Sequence, residues 1–200
     1  MRAIITVTLA CLAVVAGTAA AAESPEGHPF SVPFSERPQA SLFIGPAGIG
    51  NPLMGGGPAP EVTLSFETSF SPGRRIRFDA ARATWLSKYG GDGIPLITES
   101  ITLKTLSVSV GRVAYFSEAA AGYMAFGVGM YRFGYHTTPL DHPWRRGVDV
   151  LMGLELLGES RKYAFTVEGR IAAAAGPDQM PYLDYTMVKA SLGIGAKLRF

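Results

Sequence analysis

Val188, Ala190, Leu192, Ile194, Ala196, Leu198 and Phe200 occupy every second position at the end of the chain, and Lys189, Ser191, Gly193, Gly195, Lys197 and Arg199 fill the gaps. Successive side chains of a strand point to opposite faces, so a period of two gathers all the apolar residues on one face and all the polar or Gly residues on the other. At a helical period the same residues would spread round every side. A segment of this kind can only be a strand with an apolar environment on one face and a polar one on the other.

The pattern recurs upstream. Val62, Leu64, Phe66, Thr68 and Phe70 alternate with Thr63, Ser65, Glu67 and Ser69, and Tyr163, Phe165, Val167, Gly169 and Ile171 alternate with Lys162, Thr166, Glu168 and Arg170. Val148 to Leu156 alternates with Asp149, Gly153 and Glu155, blurred by Leu151 and Leu157. Less regular runs cover Arg74–Leu86, Ile101–Phe116 and Tyr123–Tyr135, where Arg132 breaks the phase through a bulge or at the membrane edge. The weakest run lies near Gln39–Gly45, with Pro46 truncating the strand or forcing a bulge. Pro72, Pro95, Pro139, Pro143, Pro177 and Pro181 all fall between runs, as residues without an N–H for the ladder should. Connectors alternate in length: short at 71–73, 117–122 and 158–161, long at 49–61, 88–100, 136–146 and 176–186.

The N-terminal segment 1–22 has Arg2 before a short apolar stretch and ends in Ala20-Ala21-Ala22, which predicts a signal peptide cleaved near Glu23. The apolar stretch is shorter than the ~20 residues of a membrane-spanning helix. Cys11, the single cysteine, lies within it, so disulfides do not enter the argument. Residues 23–38, with Pro25, Pro29, Pro33 and Pro38, read as an extended periplasmic lead-in. A chain that is 48% apolar and 17% charged, with a net charge of +2, offers no basic run for a phosphate backbone, which excludes a nucleic-acid binder. A soluble lipocalin-type barrel would also alternate, but it needs a charged exterior. Here the polar face is largely Gly, Ser and Ala, which suit the narrow lumen of eight strands. The expectation is an all-β chain over 39–200: a transmembrane, eight-stranded, antiparallel up-and-down barrel with both termini periplasmic and long loops outside.

On this strand pattern, the loop alternation and the terminal Phe200, the chain resembles the small OmpA/OmpX-type outer-membrane barrels of Gram-negative envelopes. The resemblance implies export to the outer membrane. It also implies that Phe200, with Leu198 and Ile194 before it, forms the signal read by the barrel-assembly machinery. It is specific for architecture and unspecific for activity.

Glu67, Arg75, Arg77, Asp79, Glu155, Glu168, Arg170, Lys189, Lys197 and Arg199 are expected to point inward. There they would form a charge network plugging the lumen, each sign offsetting the other's desolvation; the competing reading is a small porin-like pore. Trp85, Tyr115, Phe116, Tyr123, Tyr131, Phe133, Tyr163 and Phe165 lie near strand ends and are expected in interfacial girdles. The third long loop holds His136, Asp141 and His142, the one cluster with chemical potential, followed by Arg145 and Arg146. It lacks a Ser nucleophile of its own and a His-x-Ser arrangement, so a lipid A deacylase or acyltransferase-like enzyme is the alternative to a structural or surface-interaction protein. No metal or cofactor is expected. The expected partners are outer-membrane lipid, lipopolysaccharide facing Arg145 and Arg146, and an extracellular ligand or host surface at the loops.

Overall fold

The computed structural model describes residues 38–50, 58–71, 73–89, 97–135, 144–158, 162–174 and 187–200. The signal peptide, the lead-in up to residue 37 and the loop cluster His136, Asp141 and His142 lie outside these described residues. Eight strands follow in chain order: β1 (Gln39–Gly50), β2 (Ala59–Ser71), β3 (Arg74–Tyr89), β4 (Ile97–Tyr115), β5 (Ala120–Tyr135), β6 (Arg145–Leu157), β7 (Tyr163–Ala174) and β8 (Met187–Arg199). Each pairs antiparallel with the next, and β8 returns to β1 to close the barrel. Closure leaves no unpaired edge, the condition a sheet must meet inside a lipid bilayer.

The outer face is apolar. Leu64, Phe126, Val128 and Ile194 are 60, 59, 60 and 55% exposed, whereas a soluble barrel would turn such residues inward. Facing the lumen, Glu155, Lys189 and Lys197 are at most 1% exposed. The division of faces read from β8 therefore holds around the whole barrel.

The strands reach further than the sequence runs, notably β4, which begins at Ile97, and β5, which begins at Ala120. The strand ends joined by the short connections, at Ser71 and Arg74, Tyr115 and Ala120, and Leu157 and Tyr163, gather at one end of the barrel with the start of β1 and the end of β8. Gly73, with φ of 67°, closes the tight β2–β3 turn in the left-handed region that side chains disfavour. At the same end the Phe200 N–H donates to the Pro38 carbonyl at 3.1 Å, extending the β1–β8 seam by one bond.

The register decides the two irregularities expected from the sequence. Pro46 neither ends β1 nor shifts it: Ile44 pairs with Ile194 and Ala47 with Ser191, so the register is the same on both sides. The ring faces outward, and the neighbouring Gly45 lets the strands close up, since a Cβ there would lie 1.8 Å from the Leu192 carbonyl oxygen. Arg132 makes no bulge either. The β4–β5 register runs unbroken through Lys104 and Arg132, which places Arg132 on the outer face beyond Met130. The break in hydrophobicity is thus an edge of the apolar band.

Candidate functional site

The lumen is organised in layers along the barrel axis. Nearest the short turns, Glu155 on β6 accepts hydrogen bonds from Arg75 Nη1 at 2.8 Å, Lys197 Nζ at 2.5 Å and Arg199 Nη2 at 3.2 Å. Glu67 shares two of these cations, accepting from Lys197 and, at 3.4 Å, from Arg75. Arg75 also donates to the Tyr115 hydroxyl at 3.2 Å. The middle layer centres on Arg77, which donates to Asp79 at 2.7 Å, to Ser65 at 2.8 Å and through both terminal nitrogens to Glu168. Its guanidinium carbon also stands 4.9 Å from the centre of the Phe43 ring. Arg170 donates to Asp79 and lies 3.8 Å from Asp149. Higher still, Lys189 pairs with Glu61 at 2.5 Å.

Six buried carboxylates (Glu61, Glu67, Asp79, Asp149, Glu155, Glu168) thus face seven buried cations (Arg75, Arg77, Arg145, Arg170, Lys189, Lys197, Arg199) among the described residues. Ions of opposite sign alternate across the barrel, which is how a desolvated lumen can hold so much charge. The void lined by Glu61, Thr63, Arg170 and Ser191 measures about 10 Å³, at most the room for a single water.

Above the ion pairs, toward the long loops, sits an apolar cork of Trp85, Ile101, Leu103, Tyr131, Phe133 and Met187. The Trp85 indole donates to the Ala47 carbonyl at 3.3 Å. The expected aromatic girdle is therefore corrected. Trp85, Tyr123, Tyr131 and Phe133 are buried inside, and Tyr115 turns in toward Arg75, while Phe116, Tyr163 and Phe165 remain exposed outside. Their parity decides this: Tyr123, Tyr131 and Phe133 share the odd phase of the lumen-facing Ala125. Tyr123 becomes part of the network, donating to Glu168 at 2.5 Å. Its ring lies over Gly153, where a Cβ would come within 2.4 Å of it.

All ten charged residues expected inside are brought together there. Sequence reasoning passed over Glu61 and Asp149, although Glu61 shares the parity of Glu67 and Asp149 that of Glu155. It also paired Arg145 with Arg146 as loop cations. Arg145 instead opens β6 facing inward, 6% exposed, and only Arg146 points out.

The outer face carries a second set of charges, of which the sequence reading weighed only Arg132 and Arg146. Arg82 on β3 stands opposite Lys104 on β4, and Lys104 opposite Arg132 on β5, with Arg146 beside them on β6. At the short-turn end Arg74 and Arg112 oppose each other. Lys104 and Arg112 are eight residues apart on β4, roughly 20 Å along the axis of strands rising about 3.3 Å per residue and tilted near 40°. These cations therefore bracket the apolar band. All lie on β3–β6, and the described outward positions of β7, β8, β1 and β2 bear no charge. Among the described residues no three His, Cys, Asp or Glu side chains are grouped to hold a metal ion.

The architecture is that of the small eight-stranded outer-membrane β-barrels. Neisserial surface protein A superposes with a TM-score of 0.59 at 12% identity, covering 83% of this chain and 98% of its own. The outer membrane protein AlkL, solved in lipid bilayers, gives 0.54 at 15% identity, covering 88% and 96%. The outer membrane enzyme PagL gives 0.47 at 13% identity, covering 81% and 99%. No protein-family model matches the chain, and no curated protein does.

Proposed function

We propose that this chain is an integral outer-membrane barrel of structural and surface-interaction role, with a closed lumen and a rim that engages anionic lipid of the outer leaflet. The arrangement of charge supports this reading: inside, charge is paired and capped by an apolar cork; outside, it is confined to the rims of the apolar band. The alternation of short and long connectors supports an orientation with the start of β1 and the end of β8 toward the periplasm. The row Arg82, Lys104, Arg132 and Arg146 then lies at the level of the outer-leaflet headgroups, where lipopolysaccharide presents phosphates. The long loops above it are the surface offered to an extracellular ligand or host. At the other end, the seam closed by Phe200 is what the barrel-assembly machinery would engage.

Two measurements test the proposal. Reconstituted protein in a planar bilayer should show no stepwise conductance; discrete openings would replace the plug with a pore. Mass spectrometry of lipid A from cells with and without the gene should give the same acyl pattern. A lost or added acyl chain would make the protein an enzyme.

A further inference from the structure

Arg74 is the first residue of β3, and Arg112 stands directly across from it on β4. Like charges in this position repel and destabilise a sheet unless something neutralises them. Both side chains are exposed on the outer face, and neither makes an ion pair or side-chain hydrogen bond with another described residue. Beside them the β2–β3 register slips between Ser69 and Ser71. An outward groove of about 310 Å³ opens there, lined by the two arginines together with Phe70, Val110, Met124 and Phe126. Cations at the rim and rings and aliphatic chains toward the band reproduce the order of groups in a phospholipid: phosphate first, acyl chain behind it.

We infer that this groove is a binding site for one phospholipid of the periplasmic leaflet, its phosphodiester held between Arg74 and Arg112 and an acyl chain lying on Phe70, Val110 and Phe126. Guanidinium groups suit the task because they give forked, charge-assisted hydrogen bonds to phosphate oxygens. The inference goes beyond the outer-leaflet reading. It uses different residues at the opposite rim, so each can fail without the other.

The test is native mass spectrometry of the full barrel released from detergent after incubation with dioleoylphosphatidylglycerol. One bound lipid should persist on the native protein and on R82Q/K104Q, and its retention should fall roughly tenfold, about 1.4 kcal/mol, in R74Q/R112Q. Dioleoylglycerol, with the same chains and no phosphate, should not be retained. Cold mobility in SDS gels checks that each variant is folded. A second readout uses the sign of the repulsion. R74Q alone should raise unfolding resistance in uncharged detergent, where it relieves the like-charge pair, and lower it in phosphatidylglycerol vesicles, where it removes a phosphate contact. Equal retention by the double variant, equal retention of dioleoylglycerol, or the same sign of effect in both media would overturn the site.

Discussion

Replacing Glu155 by Gln probes the lumen at its most connected point. The carboxylate is fully buried and accepts from Lys197 at 2.5 Å, Arg75 at 2.8 Å and Arg199 at 3.2 Å. At an effective dielectric of about 20, each such pair is worth roughly 5–7 kcal/mol of gross attraction. Desolvation of the ions, several kcal/mol each, and repulsion among the three cations offset most of that sum. Removing the acid leaves the desolvation in place and the repulsion answered by Glu67 alone, so the loss should fall near the ~3–5 kcal/mol of a broken buried pair. That is a large share of the roughly 5–15 kcal/mol by which folded proteins are stable. Urea unfolding in phospholipid vesicles, followed by Trp fluorescence, measures it, since Trp85 is buried in the cork. The double variant E155Q/K197M should recover roughly 1–3 kcal/mol. It removes the excess charge and leaves a thioether near the Tyr123 ring, which Lys197 now approaches to 5.1 Å. A loss under about 1 kcal/mol for E155Q, or no recovery in the double variant, would show that the lumen is hydrated and its charges individually solvated.

Gly45 and Gly48 make a matched pair on β1: a Cβ at Gly45 would strike the Leu192 backbone, and one at Gly48 meets nothing within 4 Å. G45A should therefore lower the folded yield sharply on SDS gels while G48A leaves it unchanged. G153A should push Tyr123 off Glu168 and cost about 1–3 kcal/mol by overpacking, read by the same urea titration. Arg at Ile194, which is 55% exposed on the outer face, should cost roughly 2–4 kcal/mol near the bilayer midplane; the conservative I194L should cost almost nothing. Deleting Phe200 should leave export intact and reduce insertion, seen as periplasmic degradation of the unfolded chain; undiminished insertion would separate Phe200 from assembly.

The fold was legible because alternation is a local signal and a barrel repeats it eight times. Each run carries its own parity, and parity settles which residues face inward without any knowledge of distant contacts. The misreadings came where composition was given more weight than parity. Tyr123, Tyr131 and Phe133 are aromatic and near strand ends, which suggested a girdle, but their odd positions place them inside. Arg132 is charged among apolar neighbours, which suggested a broken phase, but its even position places it outside. The pairings themselves could not be read. Arg75 meets Glu155 and Arg77 meets Glu168 across the lumen, at separations of 80 and 91 residues. These contacts depend on strand tilt and stagger, which closure of the whole barrel sets.

Parity also lets charge occur on both faces without conflict. An inward ion is tolerable only where a partner of opposite sign lies within reach, so acids and bases are mixed inside the barrel. An outward ion is tolerable only where the bilayer itself is polar, so it must stand at a rim. Among the described residues the outward charges on the strands are all basic, as expected if what they meet is lipid phosphate. Their confinement to β3–β6 has a further consequence. The barrel presents anionic lipid with one attractive side and one neutral side, so its surroundings in the membrane should be uneven. Lipid phosphates should gather along the β3–β6 arc, and β7, β8, β1 and β2, uncharged throughout their described outward positions, should be solvated mainly by acyl chains.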